Sequence, residues 1–174
     1  MVVVASDLRL RPVQRDDEQA LLAAHQLLQA DGFQFLLGHD PTEPWSRYVR
    51  RLADQRRGVG LEPGWVAATF LVAVVGPDIV GRVSVRHELN DYLAFVGGHI
   101  GYGVLPGFRR RGYATELLRH GVLLARAAGV GRILVTCDEG NIASSRAIER
   151  CGGVFESSVD DPDDGHPVRR YWID

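Results

Sequence analysis

The chain has 174 residues, of which 45% are hydrophobic, enough for one domain with a substantial core. Its formal net charge of -2 excludes a global electrostatic attraction to nucleic acid and leaves anion binding to local clusters. All 20 basic residues are arginine, which excludes Schiff-base catalysis and a Walker-type phosphate lysine; Cys137 and Cys151 alone cannot build a disulfide framework or a four-cysteine zinc site.

The apolar opening Met1-Val2-Val3-Val4 stops at Ser6 and Asp7, too short for a signal-peptide core, and no apolar run reaches membrane-spanning length. A reducing, cytoplasmic setting is expected, with no membrane partner. Leu8 and Leu10 alternate with arginines as a short first strand before Pro12. A helix over residues 16–30 carries acidic residues at its start and Leu21, Leu22, His25 and Leu28 near one face, and it stops at Asp31-Gly32. A second helix over 44–57 has Pro44 in its first turn and Trp45, Tyr48, Val49 and Leu52 on its apolar face. The aromatic and glycine-rich stretch 33–41 between them reads as a loop or broken helix able to border a substrate cleft.

Residues 65–75 and 78–88 are rich in β-branched side chains and flank Gly76-Pro77 as a hairpin. Residues 99–105 form the next strand, in which Gly101 and Gly103 mark a bulge or a close approach by backbone or ligand. A helix over 115–128, a short buried strand over 132–137, a helix over 141–151 ended by Gly152-Gly153, and two strands over 154–159 and 168–173 complete the chain. This order indicates a mixed α/β domain around one largely antiparallel sheet, residues 1–174 forming a single unit. A dinucleotide-binding crossover is the weaker reading, because Pro106 stands where the third fingerprint glycine belongs.

Arg109-Arg110-Arg111-Gly112-Tyr113-Ala114 sits between a strand and a long helix, where unpaired amides and the positive end of the helix suit a pyrophosphate. An exposed arginine turn that merely caps the helix is the alternative. The run has the form (Gln/Arg)-x-x-Gly-x-(Gly/Ala), and the chain resembles the GCN5-related N-acetyltransferases (GNAT), which bind acetyl-coenzyme A. The second match is Cys137-Asp138-Glu139-Gly140-Asn141-Ile142-Ala143-Ser144-Ser145 continuing to Gly152-Gly153. The segments Arg86-His87-Glu88-Leu89-Asn90-Asp91, Gly97 to Val104 and Arg169-Arg170-Tyr171-Trp172-Ile173 are similar to a bacterial subgroup of predicted acetyltransferases.

The resemblance implies that the fourth and fifth strands splay to admit the pantetheine arm. It implies pantetheine contacts from Gly103, Val104, Leu105, Asn141 and Ser144, and a pyrophosphate site from Arg109, Arg110, Arg111, Gly112, Tyr113, Ala114 and Thr115. Asn141 is also a preferred helix cap, and the two roles can coexist. Many members carry a tyrosine about seven residues after this asparagine to protonate the departing thiolate; here the position is Ile148. Alignment places His99 where many relatives have a catalytic glutamate, so His99 is the first candidate base, with a hydrogen-bonded structural histidine as its alternative. His87 and Glu88 are second candidates, and alternation puts Tyr102 on the opposite strand face from His99, in a packing role.

The expected activity is acetyl-coenzyme A-dependent transfer to a primary amine of a small molecule or peptide, and a homodimer is a plausible assembly. A non-catalytic acyl-coenzyme A binding module is the alternative. The six histidines lack metal-ligand spacing, so no metal is expected, and Arg169 and Arg170 read as exposed strand charges before they read as an acidic-substrate site.

Overall fold

The computed structural model describes residues 7–174; the opening Met1 to Val4 run and Ser6 lie outside them. The chain builds β1 (Arg9–Arg11), α1 (Glu18–Gln29), α2 (Trp45–Arg56), β2 (Ala68–Val75), β3 (Asp78–Arg86), β4 (Ile100–Val104), α3 (Tyr113–Ala127), β5 (Ile133–Asp138), α4 (Ile142–Arg150), β6 (Val154–Asp160) and β7 (Pro167–Ile173). A π-helical turn over Leu93–Gly97, invisible to a period-based reading, fills the connection from β3 to β4.

The strands are antiparallel within two ladders, β1-β2-β3-β4 and β5-β7-β6, so the sheet parts between β4 and β5. Its remaining link is at one end, where His99 N-H donates to Leu134 O at 2.7 Å and Leu134 N-H donates to His99 Nδ1 at 3.0 Å. Thr136 Oγ1 adds a bond to Val96 O at 2.6 Å. From this vertex the two strands diverge toward Val104 and Asp138, which both line the resulting cleft.

Alternation along β2 and β3 sends Leu71, Val83 and Val85 to one face, where they pack with Ile100, Leu117, Leu118, Val135 and Ile148. Gly121 lets α3 lie close on that face, since a Cβ there would stand 2.8 Å from Ile100 Cγ2. The opposite face is covered by α1, α2 and the 33–41 segment through Leu21, Leu28, Phe35, Tyr48, Phe70 and Val72. Each fully buried leucine here stabilises the fold by roughly 1.5–3 kcal/mol relative to exposure. The two cores leave the ends of β4 and β5 as the place where the sheet stays open.

Candidate functional site

The site begins at the turn that feeds α3. Arg110 and Gly112 both take left-handed backbone angles, φ 62° and 85°, and Gly112 is the residue before the first helical turn. Alternation of handedness turns successive amides toward one side, as in an anion-binding nest. Among the described residues, no amide from Arg110 to Thr115 has an intramolecular acceptor; the first bond of the helix is Glu116 N-H to Gly112 O. These free donors, the positive end of α3 and open space where a Gly112 Cβ would stand make a cradle for an anion.

The cradle opens into a cavity of about 700 Å³ between β4, α3 and α4. Gly103, Val104, Arg109, Arg110, Gly112, Tyr113, Ala114, Thr115, Asn141 and Ser144 all line it, so the two motifs meet on opposite walls of one cleft. Asn141 caps α4 by accepting the Ser144 N-H at 3.1 Å while facing the cleft. Arg109 is tied back, donating to Val104 O at 3.2 Å and to Asp31 at 2.8 Å.

Two expected contacts fall elsewhere. Leu105 N-H is already spent on Val80 O at 2.9 Å, which removes it as a donor to a ligand. Arg111 does not line the cleft; it stacks over Phe108 and donates to Gly107 O at 3.1 Å. The glycines of β4 also have a different cause from close ligand approach. A Cβ at Gly103 would stand 2.5 Å from the Phe33 ring, and one at Gly101 would stand 3.3 Å from Arg82 Nη1. They admit side chains from the α1 side of the sheet.

His99 is buried, and its Nδ1 lone pair accepts the Leu134 amide, which puts the proton of the neutral ring on Nε2. Burial lowers its pKa. A ring in this state has no lone pair available to take a proton from an acceptor, and the geometry fits the structural alternative. His87 and Glu88 are not brought to the cleft. His87 Nε2 meets Thr69 Oγ1 at 2.9 Å across β2 and β3, with burial lowering its pKa, and Glu88 is exposed.

Tyr102 combines the expected packing role with a place on the cleft. It does sit on the face opposite His99 and packs against the α3 core, yet it also lines the cleft. Its hydroxyl meets Ser144 Oγ at 2.8 Å, and burial pushes its pKa up to about 12. Ile148 lies one turn beyond Ser144 on the same helix face and is fully buried. The 33–41 segment does border a hollow: Phe33, Gln34, His39 and Pro41 line a second cavity of about 600 Å³ with His25 and Gln29 of α1, adjoining the cleft at Gly32 and Phe33.

The β6–β7 loop brings Asp161, Asp164 and His166 within 4.8 Å of one another, a grouping that spacing did not reveal. Only Asp164 of the three is exposed, and the loop is internally bonded, with Asp161 accepting the Asp163 amide and Asp164 the His166 amide. Arg170 donates to Glu156 at 2.7 Å and to Ala94 O at 2.6 Å, which ties β7 to β6 and to the π-helical turn.

Comparison with known proteins agrees with this geometry. The acetyltransferase (GNAT) domain family matches residues 7–154. RimL, a ribosomal-protein alpha-N-acetyltransferase in complex with coenzyme A, superimposes with a TM-score of 0.69 at 18% identity, covering 99% of this chain and 96% of its own. A spermidine N-acetyltransferase from Vibrio cholerae in complex with coenzyme A and spermine gives 0.65 at 19% identity, covering 97% and 95%. Mycobacterium smegmatis RimJ in complex with a coenzyme A disulfide gives 0.69 at 19%, covering 95% and 81%. No curated protein matches the sequence. A sheet parted between β4 and β5, a nest of free amides at α3 and a family match over most of the chain converge: the chain belongs to the GNAT acetyltransferase family.

Proposed function

We propose that this protein is an acetyl-coenzyme A-dependent N-acetyltransferase, formed by one domain over residues 1–174, that moves the acetyl group directly to a primary amine. The observation that carries the reading is the set of free amides from Arg110 to Thr115 facing the open cleft between β4 and β5. The cradle fits a pyrophosphate in charge and in donor number, and the cleft leading from it suits a narrow arm. When bound, the donor supplies an activated thioester. Val104, Asn141 and Ser144 line the path that its amide-bearing arm would follow, and the cleft walls hold the thioester near an amine, which is where most of the rate advantage of direct transfer arises.

Tyr102 is proposed to donate to the departing sulfur. Its hydroxyl spans the cleft next to the helix face on which Ile148 replaces the family's tyrosine. With its pKa near 12 the phenol stays protonated at every working pH, so it serves as a hydrogen-bond donor to developing thiolate charge. His99 is assigned to holding the vertex of the cleft.

No helix among the described residues is long and apolar enough to cross a membrane, and both cysteines are free; a cytoplasmic setting is proposed. Free thiol released from acetyl-coenzyme A only in the presence of an amine tests the enzyme reading. Coenzyme A binding without acceptor-dependent thiol across a broad amine panel would identify a binding module instead.

A further inference from the structure

The α1 face of β3 carries two arginines that the donor site does not use. Arg82 is 3% exposed and donates to Phe35 O at 3.1 Å, Gln34 O at 2.8 Å and Gly101 O at 3.0 Å. Its guanidinium lies 4.5 Å from the centre of the Phe33 ring and 5.6 Å from that of Phe70. Burial, then the charge of Arg86, lowers its pKa to about 9, which leaves it charged at neutral pH. Arg86 shares Nη1 between Gly97 O and Gly98 O, both at 3.1 Å. Arg86 is half-buried, and among the described residues its Nε and Nη2 have no protein partner.

Among the described residues neither arginine pairs with a carboxylate, although Arg11, Arg51 and Arg170 all do. Carbonyl dipoles and ring faces satisfy the hydrogen bonds of Arg82, yet they leave both net charges uncompensated. The two guanidinium groups converge on Gly101, where a Cβ would stand 3.3 Å from Arg82 Nη1 and 3.9 Å from Arg86 Nη1. Gly101 is partly exposed and lies two residues from His99, where β4 begins to leave β5. Phe33, stacked over Arg82 on this face, borders both the cleft and the adjoining cavity, so the arginine-bearing side of β4 is continuous with open space beside the cleft.

We infer that the acetyl acceptor is a small amine that carries a carboxylate, held by the free edge of the Arg86 guanidinium with the Arg82 charge behind it. The inference rests on the acetyltransferase reading and names its acceptor class. A carboxylate would supply the counter-charge that the protein omits, in the bidentate geometry guanidinium favours. The same positive field disfavours a second ammonium, so the acceptor's amine gives up its proton more easily beside it. That accounts for a cleft without a side-chain base at His99. In the transfer itself the neutral amine attacks the thioester carbonyl and forms the C–N bond, the tetrahedral adduct collapses as the C–S bond breaks, the sulfur leaves with the electron pair, and the one proton that the nitrogen sheds passes through water to the sulfur.

The test measures thiol release from acetyl-coenzyme A with aspartate, glutamate, β-alanine and 4-aminobutyrate, with the carboxamide of each, and with putrescine and spermidine. The expected result is a kcat/KM roughly 10-fold or more above that of the matching carboxamide for at least one carboxylate. Arg86→Gln should collapse that ratio to about one, and Arg86→Lys should retain part of it. Turnover confined to polyamines or carboxamides, or no turnover with any carboxylate, overturns the proposal. So does an Arg86→Gln protein that loses activity with the ratio intact, which would place Arg86 in a structural role or on the thioester oxygen. Calorimetric titration with coenzyme A separates the two readings: binding with no carboxylate preference refutes the acceptor class alone, whereas no binding refutes the donor site as well.

Discussion

The Tyr102 hydroxyl and Ser144 Oγ meet at 2.8 Å, joining β4 to the first turn of α4 across the cleft. Ser144 holds the phenol in place within a side chain's reach of where the family's helix tyrosine would act, although the two come from different elements. Tyr102→Phe keeps the ring's packing and removes only the donor. It should lower kcat by roughly 100-fold while the KM for acetyl-coenzyme A changes little. Steady-state kinetics check this, and an unchanged kcat would dismiss Tyr102 as a donor.

Gly112→Val should weaken coenzyme A binding. At φ 85° a β-branched residue costs about 1–2 kcal/mol, and its side chain would project into the cradle rather than into protein. Calorimetry should show roughly a 10-fold or greater rise in Kd, with a melt confirming that the fold persists. Native affinity in a folded variant would contradict the pyrophosphate cradle.

His99→Ala should damage stability more than chemistry. It leaves the Leu134 amide unpaired in the core, at a cost of about 1–3 kcal/mol by urea denaturation. A 100-fold fall in kcat with unimpaired stability would restore His99 as a base. The pH dependence has a definite sign. Burial holds the folded pKa of His99, and of His25 and His87, below the ordinary value. At these three sites the unfolded chain binds more protons, and stability present above about pH 6.5 is lost progressively as pH falls toward the folded values, whereas His166, raised chiefly by its hydrogen bond to Asp164, contributes in the opposite sense. His99→Ala should flatten that loss, as measured by urea midpoints from pH 7.5 to 5.5.

Ile148→Ala should destabilise by about 2–5 kcal/mol, because the side chain is fully buried. Ile148→Tyr should fail to supply the family's proton donor: the position is packed against Gly153, where even a Cβ would stand 2.4 Å from Ile148 Cγ2. Thermal melts and activity of the two variants decide this.

Element order, the turn at Gly112 and the cap at Asn141 were legible because each has a local signature: alternation, a glycine before a helix, an asparagine at a helix start. The parted strands and the cleft-facing place of Asn141 followed from the family resemblance. What stayed hidden depends on contacts distant in sequence. The Nδ1 bond of His99 involves Leu134, the room at Gly103 serves Phe33, and Tyr102 finds Ser144 on an element that spacing cannot align with its own. Leu105 looked free because its partner, Val80, lies on the neighbouring strand β3, 25 residues earlier in the chain.

Because, among the described residues, β4 and β5 are linked only around His99, each presents an unsatisfied strand edge inside the molecule. A pantetheine arm laid between them would act as a missing rung and make one continuous sheet of two. The donor would then be a thermodynamic keystone as well as a reagent. At a concentration 100 times its Kd it adds about 2.7 kcal/mol to the folded state, and amide exchange along β4 and β5 should slow together as the two halves lose their independence.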